Sequence, residues 1–213
     1  MDVSHLDYLK AMGIQSWQLK SPPLVTTEAS GEWQVLEAAV KACTACGLDK
    51  TRTQTVFGVG NRRADLMIIG EAPGFNEDKQ GEPFVGRAGQ LLNAMLEAIG
   101  FERESVFIAN ILKCRPPGNR DPLPEEVKCC TPFLVRQIGL IQPKLLLAVG
   151  RIAAHYLLDT KLALGQLRNK MHRFGETPLI VTYHPAYLLR NPVDKSKAFA
   201  DLQRVYSTLA EFG

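Results

Sequence analysis

Four short, largely apolar runs constrain this chain most: residues 66–69, 106–109, 144–149 and 179–183. A strand with one wet face alternates apolar and polar side chains, whereas a run that is apolar at nearly every position needs cover on both faces. Between the runs the spacing changes from two to about 3.6 residues. Leu91, Leu92, Met95, Leu96 and Ile99 share one side of a helix predicted over 87–99, closed by Gly100. Further helices are predicted over 125–141 (after Pro124), 151–158 and 195–209. Strands alternating with helices point to a parallel sheet with helices packed on both sides.

Ahead of this lies a different composition. Residues 1–20 read as a short helical arm, with a helix over 5–12, and residues 21–32 as a Pro/Ser/Thr-rich linker. A helix over 33–43 then opens a main domain spanning 33–213. At 213 residues, 46% of them hydrophobic, the chain can bury a full core without staples. Its longest apolar run, 145–149, is far short of a membrane span. Residues 1–7 carry no basic and apolar leader pattern, so a cytosolic protein is expected. The net charge of +3 permits nucleic-acid binding without arguing for it.

In parallel sheets ligands bind beyond the carboxyl ends of the strands. The first run ends in Gly70-Glu71-Ala72-Pro73-Gly74, which puts a carboxylate beside backbone that can approach a flat ligand closely. The second run ends in Asn110, which carries both a donor and an acceptor; a simple turn is the commoner fate of such a residue. The third leads to Gly150-Arg151 and the fourth to His184-Pro185. A neutral imidazole can donate to a developing anion, though it can equally cap a helix. Phe84 lies in a polar, glycine-flanked loop, as a stacking face or as a core plug.

Five cysteines complete the pattern: Cys43 and Cys46 in a CxxC, then Cys114, Cys129 and Cys130. Their odd number and a reducing compartment disfavour disulfides. Four thiolates suit zinc or an iron–sulfur cluster, and spacing alone does not choose between them.

Together these segments resemble family 4 of the uracil-DNA glycosylase superfamily, the iron–sulfur type. The resemblance runs from about Cys43 to Tyr206 and rests on GEAPGFNED at 70–78, GEPFVGRAG at 81–89, NILKCRPPGNRDPLPEE at 110–126 and HPAYLLR at 184–190. It implies a three-layer αβα sandwich around a four-stranded parallel sheet. It also implies hydrolysis of the N-glycosidic bond of uracil in DNA, leaving an abasic site for base excision repair. The family's [4Fe–4S] ligands carry over to Cys43, Cys46, Cys114 and Cys130, with Cys130 preferred to Cys129 because it stands sixteen positions after Cys114. Gly70, Glu71 and Ala72 match the segment that contacts uracil and orients water. Phe84 matches the stacking aromatic, Asn110 the reader of the polar edge of uracil, and His184 the histidine that steadies the departing anion. Leu188, Leu189 and Arg190 match the loop that enters the DNA groove. A related branch traps DNA through a histidine on a basic loop; residues 114–126 contain no histidine, so ordinary turnover is expected.

The rival reading is a metal-stapled nucleic-acid-binding module without catalysis, which leaves Glu71, Phe84, Asn110 and His184 unexplained. The arm carries Leu6, Leu9, Met12, Ile14 and Trp17 as apolar contacts. It is similar to the N-terminal peptide of the psi subunit of bacterial DNA polymerase III, which implies a clamp-loader contact. A monomer is expected.

Overall fold

The computed structural model describes residues 27–212; the expected helix over 5–12 and the rest of the arm lie outside them. Four parallel strands form the centre: β2 (Leu66–Gly70), β3 (Phe107–Asn110), β4 (Leu145–Val149) and β6 (Thr177–Thr182). They are the four predicted runs, and the sheet that holds them has the order β1-β3-β2-β4-β6-β5. The two additional strands, β1 (Val59–Gly60) and β5 (His172–Phe174), pair antiparallel with β3 and β6. At two and three partly exposed residues they carry no readable alternation. They cap the edges of a sheet whose centre was legible.

Side-chain alternation sorts the strands into two faces. Met67, Ile69, Phe107, Ala109, Leu146, Ala148, Leu179 and Val181 point to one side. There they meet Trp33 of α1 (Thr27–Lys41), Val127, Leu134 and Ile141 of α4 (Pro124–Ile141), and Ala153 and Leu157 of α5 (Arg151–Leu158). Leu66, Ile68, Ile108, Leu145, Leu147, Val149 and Ile180 point to the other. They pack on Leu92, Met95 and Leu96 of α3 (Arg87–Glu97) and on Ala198, Leu202 and Val205 of α8 (Lys195–Glu211). This is the three-layer αβα sandwich, with a core on each side of the sheet.

The first described helix corrects the linker expectation. Thr27–Lys41 is helical, so residues 27–32 of the stretch read as linker belong to this helix. Three short helices escaped the periodicity test for want of length: α2 (Phe75–Gln80), α6 (Leu164–Leu167) and α7 (Pro185–Arg190). Two of them, α2 and α7, follow the strand ends at which ligand residues are expected. A buried ion pair ties the far edge together. Arg168 donates to both carboxylate oxygens of Asp201 (2.7 and 3.0 Å), and the Thr182 hydroxyl donates to the same group (2.8 Å). The last residue of β6 is thereby fixed to α8, immediately before Tyr183 and His184.

Candidate active site and cysteine cavity

The strand register brings the candidate residues to one edge. Gly70 pairs with Asn110, and Val149 with Thr182. The chain leaves β2 toward β3 on one side, and β4 toward β6 on the other, so a crevice opens between β2 and β4. A cleft of about 730 Å³ occupies that place, and Glu71, Ala72, Phe84, Asn110, His184 and Arg190 all line it. Gly70 lies beneath the floor. A Cβ there would come within 2.7 Å of the Phe84 ring and would run into the Asn110 side-chain oxygen, so only glycine lets these two side chains stand so close to β2.

Asn110 is buried as the last residue of β3. Its main-chain carbonyl accepts from the Lys113 ammonium (2.8 Å), which also donates to Gln137 of α4 (2.6 Å). Phe84 takes a left-handed backbone conformation, φ 54°, uncommon for a bulky residue. The loop holding it is tied down by Glu77 of α2, whose carboxylate accepts from the Val85 and Gly86 amides (3.0 and 3.3 Å). The Phe84 ring stacks against His184 with centroids 5.6 Å apart.

His184 is the N-cap of α7: its Nδ1 accepts from the Ala186 amide at 3.1 Å. In a neutral ring the proton then sits on Nε2, which makes that nitrogen a donor. Burial, with the Arg190 charge adding to it, pulls the imidazole down to about 4. The ring is therefore neutral at physiological pH and can still donate. Glu71 is shifted the opposite way. Burial pushes its carboxyl up to about 7, Asp121 adds to the shift and Arg151 opposes it. Arg151 and Asp121 pair with each other at 3.2 Å across the mouth of the cleft. A base poised near neutrality and a neutral donor thus share one cavity.

Leu188 is corrected. It is 1% exposed and packs in the core with Leu66 and Leu92, so it is a core residue of α7 and not a DNA-facing one. Helical spacing turns it inward, whereas its neighbours Leu189 and Arg190 are exposed. Sequence reasoning missed Glu77, Lys113 and Asp121, which hold or tune the named groups. All three sit within the quoted motifs, but nothing local in the sequence shows what they reach.

The five cysteines meet in a second, much smaller cavity of about 10 Å³, lined also by Arg52 and Lys113. All five are free thiols. Arg52 donates to the Cys114 sulfur (3.0 Å), and the Lys113 amide to the Cys130 sulfur (3.2 Å). Cys129 also lines the cavity, but its thiol donates to the Ala45 carbonyl (3.4 Å). Burial pushes the Cys130 thiol up to about 11. Among the described residues, no group of three or more His, Cys, Asp or Glu side chains could hold a single metal ion as placed. The thiol-rich lining, with Arg52 and Lys113 beside it, is chemically suited to a thiolate-held metal group.

Comparisons with known proteins bear on what this arrangement is. The sequence model of the uracil DNA glycosylase superfamily matches residues 57–209. The chain is 44% identical over 174 residues to a type-4 uracil-DNA glycosylase of Archaeoglobus fulgidus, covering 78% of this chain and 87% of that one. It is 41% identical over 184 residues to a type-4 enzyme of Thermotoga maritima, covering 84% and 96% respectively. A type-4 enzyme of Pyrobaculum aerophilum matches at 42% over 177 residues, covering 79% and 90%. Likeness of this extent, spanning the strands, the cleft and the cysteine cavity, establishes that the chain belongs to the uracil-DNA glycosylase superfamily and, within it, to the type-4 uracil-DNA glycosylases.

Proposed function

We propose that this chain hydrolyses the N-glycosidic bond of uracil in DNA at the cleft lined by Glu71, Phe84, Asn110 and His184. The observation that carries the reading is the pairing, in one cavity, of a neutral histidine whose Nε2 is a donor with a carboxyl poised near pH 7. A uracil in duplex DNA must be flipped out before its glycosidic bond can be reached. Phe84 then offers an apolar face for the ring, beside the Ala72 and Gly70 backbone. Asn110 tells uracil from cytosine, because a carbonyl and an amino group at the same ring position need opposite partners. Bond cleavage leaves negative charge on uracil and positive charge on the sugar. The His184 Nε2 proton stabilises the first where water is excluded. The ionised Glu71 directs or deprotonates the attacking water and faces the second. Leu189 and Arg190, at the exposed end of α7, meet the DNA.

Cys43, Cys46, Cys114 and Cys130 would hold a [4Fe–4S] cluster, supported by the thiol-lined cavity and its two cationic neighbours. When bound, the cluster supplies thiolate–iron bonds that tie the segment after α1 to the β3 loop and α4. Hydrolysis needs no electron from it, and we assign it a structural role. The glycosylase unit is taken as residues 33–213, acting as a cytoplasmic monomer. Residues 1–20, which lie outside the described residues, are read as a clamp-loader contact only through their resemblance to the psi-subunit peptide. Among the described residues no helix is long and apolar enough to cross a membrane.

A gel assay on an oligonucleotide with a single uracil, followed by alkali, tests the reading. A strand break at uracil and none at thymine or cytosine supports it. Tight binding without alkali-labile sites favours the binding-module alternative.

A further inference from the structure

Lys113 is 1% exposed, an unusual depth for a lysine. It does not line the cleft, yet it bonds several separate segments at once. Its ammonium donates to the Asn110 carbonyl (2.8 Å) and to Gln137 Oε1 (2.6 Å). Gln137 in turn donates to the Phe57 carbonyl (2.9 Å). The Lys113 carbonyl accepts from the Val56 amide (2.8 Å), and its own amide donates to the Cys130 sulfur (3.2 Å). One residue therefore bonds the end of β3, the middle of α4, the 56–57 segment and a wall of the cysteine cavity.

Apolar packing alone would hold α4 on the sheet, because Val127, Leu134 and Ile141 already do so. What the Lys113 ammonium adds is direction. It fixes one main-chain carbonyl, that of the residue whose side chain faces the base, against a helix that carries Cys130. We propose that Lys113 is a positioning residue for base recognition: by anchoring the Asn110 main chain to Gln137, it makes the orientation of the Asn110 amide depend on α4 and on the cysteine cavity. This rests on the reading of Asn110 as the residue that reads uracil. Asn110 sits where strand geometry ends, so its neighbours in the sheet fix only one side of it. The Lys113–Gln137 link supplies the other side, and a small rotation there would spoil a paired donor–acceptor contact that tolerates little misalignment.

The test uses the full-length protein with its cysteine site loaded. Free uracil is titrated as a competitive inhibitor of excision, and abasic-site duplex is titrated by anisotropy. Asn110→Ala, Lys113→Met and Gln137→Leu are compared with wild type for both, together with visible absorbance and thermal melting. Lys113→Met is expected to weaken free-uracil inhibition by about tenfold or more, the weight of one well-placed hydrogen bond. Gln137→Leu should weaken it by a smaller factor of at least about threefold. Abasic-site affinity should stay within about twofold, because the DNA surface is not altered; the visible band is read so that uracil inhibition is compared only between proteins with equal loading of the cysteine site. A merely structural role would lower the melting temperature and leave uracil inhibition where it was; that result overturns the proposal. Should Lys113→Met fail to fold, Gln137→Leu decides alone: unchanged uracil inhibition there overturns it. If Asn110→Ala itself leaves uracil inhibition unchanged, the reading of Asn110 fails. If Asn110→Ala weakens inhibition and the Lys113 and Gln137 variants do not, Asn110 stands and the Lys113 proposal fails.

Discussion

The carboxyl of Glu71 gives the site a pH signature that can be worked out in advance. Burial is the main cause of its rise to about 7, with Asp121 adding and Arg151 subtracting. If the ionised form is the one that acts on water, the chemical step follows the ionised fraction. A midpoint of about 7 leaves roughly 1% ionised near pH 5 and roughly 90% near pH 8, so the rate should climb by close to a hundredfold across that window. A carboxyl at its ordinary 4.5 would already be about three-quarters ionised near pH 5, and the rate would rise by less than about one and a half-fold. His184 does not confuse the measurement, since at about 4 it is neutral throughout. The assay is single-turnover excision from a uracil oligonucleotide, with circular dichroism at each pH to confirm folding. Asp121→Asn should shift the midpoint down and Arg151→Gln should shift it up, each without abolishing the limb. Glu71→Gln should remove the limb altogether. A flat profile in the wild type, or an unchanged acid limb in Glu71→Gln, refutes the assignment of Glu71 as the base.

Other consequences follow from particular contacts. Gly150 sits at φ +95°, and a Cβ there would stand 2.8 Å from that of His184; Gly150→Ala should cost about 1–3 kcal/mol in a urea melt and slow excision as well. Arg168→Met strands the Asp201 carboxylate, itself 1% exposed; breaking a buried pair from one side should destabilise by about 3–5 kcal/mol, measured by the same melt. Cys130→Ala should lose iron and visible absorbance, while Cys129→Ala, whose thiol points to the Ala45 carbonyl, should keep both. Bleaching by Cys129→Ala alone would reverse that ligand choice.

Legibility in the sequence followed the range of the forces involved. The four central strands were readable because burial on both faces makes nearly every position apolar, a signal carried within four to six residues. The strand-end rule then placed Glu71, Asn110 and His184 together without any knowledge of contacts. The edge strands β1 and β5 were invisible, since two or three residues of edge pairing impose no pattern. Leu188 was misassigned because the motif marks the α7 segment as a whole, whereas only its helical phase decides which side chains face out. Residues that act through others were unreadable for a further reason. Lys113 reaches Gln137 across 24 positions and Arg52 reaches Cys114 across 62, and no local pattern encodes such pairs. The shifts on Glu71 and His184 likewise arise from burial, which is a property of the assembled cleft.

The most direct test of the account compares wild type with His184→Ala in single-turnover excision of uracil from duplex DNA, alongside affinity for an abasic-site duplex. Removal of the Nε2 donor should slow excision by roughly a hundredfold or more, the scale of one lost transition-state partner, while abasic-site affinity changes by only a few-fold. Excision by His184→Ala within a few-fold of wild type would contradict the account and move the chemistry away from this cleft.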